Sequence, residues 1–238
     1  MTEHDPTRLG TILGVWAHPD DEAYLSATIM ATAIGAGQRV VCITATRGEA
    51  GSLDHERWPP ETMAAVREAE LDACLAVLGV TEHTWLDYPD GGCGEVPVDE
   101  PAARIAAVVD DVRPDTVLTF GPDGMTGHVD HIAVCQWTTE ALRRSNYDGG
   151  RLFYATKTPE WNAAMVAVID PDHVMMGNDE LPATDLADLS LHVRAEGADL
   201  DRKVKAMLCQ ESQVGPLIAQ SSIEGFIALM ADEFFRDP

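Results

Sequence analysis

The chain has 238 residues, of which 45% are hydrophobic, and this is enough for one sizeable α/β domain. Its 40 Asp and Glu against 16 Lys and Arg give a net charge of −24, which argues against nucleic acid or an anionic membrane surface as a partner. The 5 cysteines are odd in number and form no C-x-x-C pair, so we expect reduced thiols and a cytoplasmic protein.

Predicted strands and helices alternate over the first two thirds of the chain. Short apolar runs indicate buried strands, and apolar residues at helical spacing indicate the helices between them. In chain order we predict a strand over 11–17, a helix over 21–34, a strand over 39–46, a helix over 61–78, a short strand over 84–86, a helix over 99–112, a strand over 115–120, a helix over 128–144 and a strand over 151–155. This order predicts an α/β fold with a Rossmann-like, doubly wound, mostly parallel sheet and helices on both faces.

The remaining stretch is less regular. Residues 165–169 read as a strand, residues 199–209 and 222–233 read as helices, and residues 179–193 are ambiguous. No linker rich in Gly, Ser or Pro interrupts the sequence, and no internal repeat is present. We therefore predict a single domain over residues 1–238.

Two polar loops follow predicted strands. The first strand is followed by HPDDE, which contains His18 and Asp21, and the fourth is followed by GPDGMTGHVDH, which contains His128 and His131. In a sheet of order 3-2-1-4-5 the two strands are neighbours at the point where the order reverses, and ligands bind there in such sheets. The two loops are therefore expected to meet.

The residue types in these loops predict a metal site. A catalytic zinc is typically bound by three protein ligands, such as two imidazoles and a carboxylate, and keeps its fourth coordination position open. The adjacent carboxylates of Asp20, Asp21 and Glu22 would repel one another unless a cation relieved the crowding. A capped helix start with Asp20 or Asp21 as the N-cap is the alternative for the first loop, and an exposed polar face is the alternative for the H-x-x-H of the second.

Dinucleotide binding is disfavoured. A nucleotide-binding chain would carry a glycine-rich loop after its first strand, and this chain has AHPD there instead.

Five segments resemble the LmbE-like, or PIG-L, deacetylase family. They are AHPDDE (17–22), TRGEAGS (46–52), REAELDACLAVLGV (67–80), GHVDH (127–131) and K-x-x-A-x-x-x-Q-x-S-Q (203–213). The resemblance covers about residues 11 to 213. The family includes N-acetylglucosaminyl-phosphatidylinositol de-N-acetylases and the deacetylases of mycothiol and bacillithiol synthesis. The resemblance implies a zinc-dependent hydrolase that removes an N-acetyl group from an amino sugar or its conjugate by metal-activated water.

Matched by position, the resemblance implies that His18, Asp21 and His131 bind zinc, with iron or another divalent metal as the alternative. It implies that Asp20 is the general base. It also implies that His128 either steadies the oxyanion or protonates the leaving amine.

The resemblance further implies that Asp130 orients a neighbouring imidazole and that Arg67 contacts the substrate. A solvent-facing helix residue is the alternative for Arg67. Glu49 and Asp90 also lie in loops at the same edge of the sheet, where surface acids are the more common interpretation.

Two positions depart from the family pattern. Thr126 stands where some relatives have a tyrosine, so a phenolic oxyanion donor is in doubt there. Gln210 stands where many relatives have a histidine, so any role of that position in the site is open.

Two other functions stay open: a metal-dependent amidase of another N-acyl or thiol-conjugate substrate, and a non-catalytic metal-binding relative. The retained Asp20 favours an enzyme, because a protein without turnover would be free to lose it. The expected partner is a small N-acylated amino sugar or its conjugate, with no nucleic acid. A homo-oligomer stays open, and no membrane span is expected because no stretch approaches about 18 apolar residues.

Overall fold

A computed structural model describes residues 5–169 and 181–238, which form one mixed sheet of seven strands. The strands are β1 Ile12–Trp16, β2 Val40–Thr46, β3 Glu82–Tyr88, β4 Thr116–Phe120, β5 Arg151–Thr156, β6 Leu191–Arg194 and β7 Asp232–Arg236. Their order is β3-β2-β1-β4-β5-β7-β6. Strands β1 to β5 are parallel, as predicted, while β7 is antiparallel to both β5 and β6.

The helices pack as two separate groups. They are α1 Asp21–Leu25, α2 Ala27–Gly35, α3 Pro60–Leu78, α4 Asp99–Val112, α5 Gly124–Gly127, α6 Val129–Arg144, α7 Pro159–Val168, α8 Gly197–Leu208, α9 Glu211–Gln220 and α10 Ile223–Met230. Helix α4 packs against α6, and helices α2 and α3 pack against α8. The central strands β1, β2 and β4 are buried along their whole length, as expected for parallel strands covered on both faces.

The first predicted helix is broken. Residues 21–34 form α1 and α2, which are separated at Ser26, where φ is −146°. The break lets α1 follow the site loop while α2 packs in the core. Apolar spacing alone did not reveal it.

The predicted strand over 165–169 is wrong, because residues 165–168 belong to α7 and Ile169 follows the end of that helix. The Thr158 hydroxyl accepts a hydrogen bond from the Trp161 backbone N–H, and Pro159 occupies the first turn, so two helix-start signals outweigh the apolar run. The predicted helix over 222–233 ends at Met230, and β7 follows it. Helix α9 was not predicted, and part of the ambiguous stretch 179–193 lies outside the described residues.

Within the described residues, no helix combines the length and the apolar character needed to cross a membrane.

A buried ion pair joins helix α8 to strand β7 and to the start of helix α2. Lys203 Nζ of α8 donates to Glu233 Oε1 of β7 at 2.7 Å, and both side chains are fully buried. The same carboxylate accepts the backbone N–H groups of Thr28 (2.7 Å) and Ile29 (3.0 Å) in the first turn of α2. Glu233 therefore satisfies the start of a helix as well as the lysine.

Replacing Lys203 with methionine is expected to lower the free energy of unfolding by about 3–5 kcal/mol, because it leaves the Glu233 carboxylate buried without its cation. Urea unfolding measures this loss. Lys205→Met, an exposed lysine of the same helix, is the matched control and should change stability by less than about 0.5 kcal/mol. Equal losses in the two variants would contradict the prediction.

Candidate metal and active site

The loops after β1 and β4 meet, as the strand order predicts. The register pairs Ile12 of β1 with Thr116 of β4, so the two carboxyl ends lie side by side. His131 Nε2 lies 3.2 Å from His18 Nδ1. The Phe120 ring at the end of β4 stacks on the His131 ring with centroids 4.0 Å apart, which fixes the position of that imidazole.

Three side chains converge at this point. Asp21 Oδ1 is 3.5 Å from His131 Nε2, and Asp21 Oδ2 is 3.7 Å from His18 Nδ1. All three side chains are at most 12% exposed. Two imidazole nitrogens and a carboxylate at such separations suit one zinc-sized ion with an open position.

The other polar atoms of these side chains are already held. His18 Nε2 lies 3.2 Å from Asp130 Oδ2, and His131 Nδ1 lies 3.0 Å from the Gly124 carbonyl oxygen. Asp21 Oδ2 accepts the His18 backbone N–H at 2.8 Å. Such contacts orient metal-binding imidazoles and fix their tautomers, so His18 Nδ1 and His131 Nε2 are left for an ion.

Asp130 is fully buried, and both of its oxygens are engaged. Oδ2 accepts the Gly91 N–H at 2.7 Å and Oδ1 accepts the Cys93 N–H at 3.0 Å. The Asp130 carboxylate thus connects α6 to the loop after β3 and contacts His18 at Nε2, the ring nitrogen that is not expected to bind the ion. This geometry suits the expected role of orienting an imidazole.

The electrostatics of this corner also suit a cation. Burial lowers the pKa of His18, but hydrogen bonds to Asp130 and Asp90 outweigh it and raise the pKa to about 10. Burial, with the nearby charge of His18, lowers the pKa of His131 well below its ordinary value. Burial raises the pKa of Asp21. The carboxylates of Asp130 and Asp90 therefore favour a positive charge at His18.

Other combinations of side chains could also hold an ion. Within the described residues, the ligand atoms of His18, His128 and His131 lie within 4.8 Å of one another, and so do those of His18, Asp90 and Asp130. The second set uses Asp130, both of whose oxygens already accept backbone N–H groups, which makes it the weaker one. Variants of His128 and Asp21 distinguish the first set from the predicted one, because His18 and His131 belong to both.

Asp20 lies beside the donor atoms in a strained backbone conformation. Its φ is 121°, which side-chain-bearing residues rarely adopt, and its side chain makes no capping hydrogen bond to α1. Asp20 therefore occupies the N-cap position of α1, but its carboxylate does not cap the helix. Asp20 Oδ2 is 3.1 Å from Arg67 Nη2. Burial raises the pKa of Asp20 to about 8, although the Arg67 charge lowers it.

Glu22 stabilises the backbone conformation of Asp20. Glu22 Oε2 accepts the Asp20 backbone N–H at 3.0 Å, and Oε1 lies 3.1 Å from Gln210 Nε2 and 3.2 Å from Cys74 Sγ. Gln210 is fully buried. Gln210, which differs from the family pattern, and Cys74 thus both contact the carboxylate that holds the Asp20 backbone N–H.

His128 is the N-cap of α6. Its Nδ1 accepts the Asp130 backbone N–H at 3.1 Å, so the proton of the neutral ring is on Nε2. Burial and the nearby charge of His18 lower the pKa of His128. The ring is therefore a neutral N–H donor at the cavity.

Arg67 is buried and connects two loops. Its guanidinium donates to the Pro19 carbonyl oxygen at 2.5 Å and to the Gly48 carbonyl oxygen at 3.0 Å, and it lines the cavity beside Asp20. A Cβ at Gly48 or Gly51 would collide with it. This explains the two glycines of TRGEAGS. The guanidinium is thus committed to loop contacts as well as facing the cavity, and the solvent-facing alternative is not what the structure shows.

Asp90 is the site neighbour that sequence reasoning undervalued. Its side chain is 7% exposed, and its Oδ1 is 3.2 Å from His18 Nε2. Glu49 Oε1 accepts the Asp90 backbone N–H at 2.9 Å, and Asp90 Oδ2 accepts the Ala50 N–H at 2.8 Å. Its position in a loop at the same edge of the sheet was the only available signal.

The donor atoms open into a cavity of about 490 Å³. His18, Asp20, Asp21, His128 and His131 line one part of it. Thr126 lines it too, so no phenolic group stands at this position. The remaining wall is largely apolar. A cavity of this size accommodates a small organic molecule.

Comparison with known proteins decides the family. The family model described as PIG-L, GlcNAc-PI de-N-acetylase, matches residues 13–142, which include every predicted metal ligand and Asp20, Arg67, His128 and Asp130. The chain belongs to the PIG-L family. The resemblance seen in the motifs is thereby confirmed.

Two bacterial relatives of this PIG-L protein are named 1D-myo-inositol 2-acetamido-2-deoxy-alpha-D-glucopyranoside deacetylase. The one from Kineococcus radiotolerans is 35% identical over 68% of this chain and 52% of its own length. The one from Mycolicibacterium gilvum is 30% identical over 85% of this chain and 80% of its own length. The chain thus spans about half of the first relative and four fifths of the second.

A solved structure with the same fold is the N,N'-diacetylchitobiose deacetylase from Pyrococcus horikoshii, with a TM-score of 0.67 and 20% identity over 98% of this chain and 85% of that one. Such a likeness supports the fold alone. Together the comparisons confirm the predicted fold and the PIG-L family, whose relatives described here are named as deacetylases.

Proposed function

We propose that this PIG-L protein is a zinc-dependent deacetylase that hydrolyses the N-acetyl group of an amino sugar or its conjugate. One observation carries the proposal: His18 Nδ1, His131 Nε2 and the Asp21 carboxylate converge at the wall of a cavity that Asp20 also lines. The names of the two relatives support the choice of an N-acetylated amino sugar as substrate. The domain assignment over 1–238 and the cytoplasmic location stay predictions.

His18, Asp21 and His131 would hold the zinc. When bound, zinc supplies Lewis acidity for the amide carbonyl and lowers the pKa of a water to about 7. The residues fit this ion because their free atoms are an imidazole nitrogen each from two histidines and one carboxylate oxygen, and their other polar atoms are engaged.

The remaining side chains have separate tasks. Asp20, held by Arg67 and by the Glu22 contact to its backbone, would accept the proton of the attacking water. His128, a neutral Nε2–H donor, would stabilise the carbonyl oxygen as it gains negative charge, or pass its proton to the departing amine. Asp130 would keep the His18 ring in place. The products are acetate and a free amine.

Acetate release from zinc-loaded protein tests the proposal. The panel should contain N-acetylglucosaminyl conjugates with polar and apolar aglycones, together with N-acylated thiol conjugates. Acetate from an amino sugar conjugate that is lost in Asp20→Asn supports the proposal. Turnover confined to the thiol conjugates would move the function to the alternative amidase.

Removing the metal is expected to abolish activity without unfolding the chain. The apolar core around β1, β2 and β4 does not depend on the ion, unlike the core of a zinc finger. Incubation with a chelator should bring activity to background, and added zinc should restore it, while the thermal transition stays cooperative. Disappearance of that transition on chelation would contradict this expectation.

A further inference from the structure

The cavity contains a lysine that the proposed mechanism does not use. Lys157 follows β5, lines the cavity and is 8% exposed. A lysine buried to this extent normally has a carboxylate partner, since an unpaired buried charge is costly. Burial, with the nearby charge of Lys203, lowers the pKa of Lys157 to about 7.

The acids whose charge acts on Lys157 are Glu233 and Asp232. Glu233 is already bonded to Lys203 at 2.7 Å. Asp232 is within 2.9 Å of His192 Nε2 and is also paired with Arg194. In the described part of the chain, no carboxylate is therefore bonded to the Lys157 ammonium.

Two aromatic rings lie close enough to attract the Lys157 ammonium in place of a carboxylate. Lys157 Nζ is 4.3 Å from the centroid of the Trp161 ring and 5.8 Å from that of Phe234. Trp161 is fixed by a 2.7 Å hydrogen bond from its Nε1 to the Leu229 carbonyl oxygen. Rings can attract a cation, but they accept none of its three N–H bonds as a carboxylate would.

The wall around Lys157 is otherwise apolar, and it lies outside the set of metal-binding residues. Helices α7, α9 and α10 and the segments beside them contribute Trp161, Met165, Ile169, Leu181, Leu217 and Met230. A second polar atom here also has no partner: Asn162 Oδ1 is buried without a hydrogen bond, although Asn162 Nδ2 donates to the Pro182 carbonyl oxygen at 3.1 Å. Lys157 is thus a hydrogen-bond donor within an apolar wall, and a buried polar atom beside it also lacks a partner.

We propose that Lys157 binds an anionic group carried on an apolar aglycone of the substrate. The inference rests on the proposed deacetylase function, because it places the acetamide at the metal-binding residues and the aglycone against this wall. The ligand class is an N-acetylated amino sugar whose apolar aglycone bears a carboxylate or a phosphate. A charged hydrogen bond in a desolvated pocket then determines which conjugate binds well.

Two probes that differ only in charge test this assignment: the 4-carboxyphenyl and the 4-carbamoylphenyl glycosides of N-acetylglucosamine. Acetate release gives kcat and KM for each probe, and calorimetry gives the Kd of each. The proteins are the wild type, Lys157→Met, Lys157→Arg and the control Lys205→Met, all zinc-loaded and checked for a cooperative thermal transition.

The wild type is expected to prefer the carboxylate probe by about tenfold or more, through KM and Kd rather than kcat. Lys157→Met should bring the ratio between the probes close to one, while Lys157→Arg and Lys205→Met should retain a preference for the acid. A wild type without preference, a preference that survives in Lys157→Met, or equal losses on both probes would overturn the inference.

Calorimetry separates this result from the proposed function. Binding of the acid that depends on Lys157, without acetate release from either probe, would support the anion site and count against the deacetylase. Acetate release without a dependence on Lys157 would do the reverse. Failure of both probes to bind would overturn the anion site.

Discussion

Replacing His131 with alanine is expected to leave the protein folded but without its metal and without activity. The imidazole supplies one of three converging donor atoms, and its Nε2 lies 3.2 Å from His18 Nδ1 and 3.5 Å from Asp21 Oδ1. Loss of a residue that merely orients a ligand costs about 10- to 100-fold in metal affinity. Loss of the ligand itself should therefore cost more than about 100-fold.

Elemental analysis after gel filtration measures this loss, with circular dichroism as the check on folding. His128→Ala is the matched control, because this imidazole is three residues away and could join His18 and His131 around an ion. We expect it to retain the metal and lose turnover. If His131→Ala kept about one equivalent of metal, or if His128→Ala lost its metal, the ligand assignment would have to change.

Changing Asp20 to asparagine is expected to lower turnover by about 10²- to 10⁴-fold while the metal stays bound. This is the usual contribution of a general base, and asparagine keeps the shape of the side chain without accepting a proton. The Asp20 side chain makes no capping hydrogen bond, so the change should not weaken the start of α1. Glu22 should still hold the backbone N–H of residue 20.

Turnover and metal content must be measured on the same preparation. Asp72→Asn, an exposed position on α3, makes the same change of charge away from the cavity and should retain full activity. A fully active Asp20→Asn would show that another group takes the proton. Loss of metal in this variant would instead make Asp20 a ligand.

The meeting of the two histidine loops could be predicted from the sequence because it needs only strand order. A parallel sheet with a reversal between β1 and β4 brings residues such as His18 and His131 together whatever the details of packing. Asp90 could not be recognised in this way. Its position follows from a turn in which Glu49 and Ala50 hold its backbone and side chain, and no periodic pattern encodes that turn.

The later part of the fold was harder to predict for a different reason. The apolar residues of 165–169 fit a helix as well as a strand, and the capping by Thr158 decided between them. The predicted helix over 222–233 ran past the end of α10 at Met230, whereas Asp232 and Glu233 belong to β7 because β5 and β6 offer this strand two open edges. Such tertiary pairing is invisible in a local sequence pattern.

The placement of β7 has a consequence for synthesis of the chain. Residues 232–236 insert between β5 and β6, although they follow both in sequence, so the sheet cannot be completed until the ribosome has added them. Until then, β5 presents an open edge that could pair with another nascent chain. Lys203 likewise lacks its ion-pair partner, the Glu233 carboxylate. A product that stopped before Glu233 would contain all the proposed metal ligands but would be expected to aggregate or be degraded.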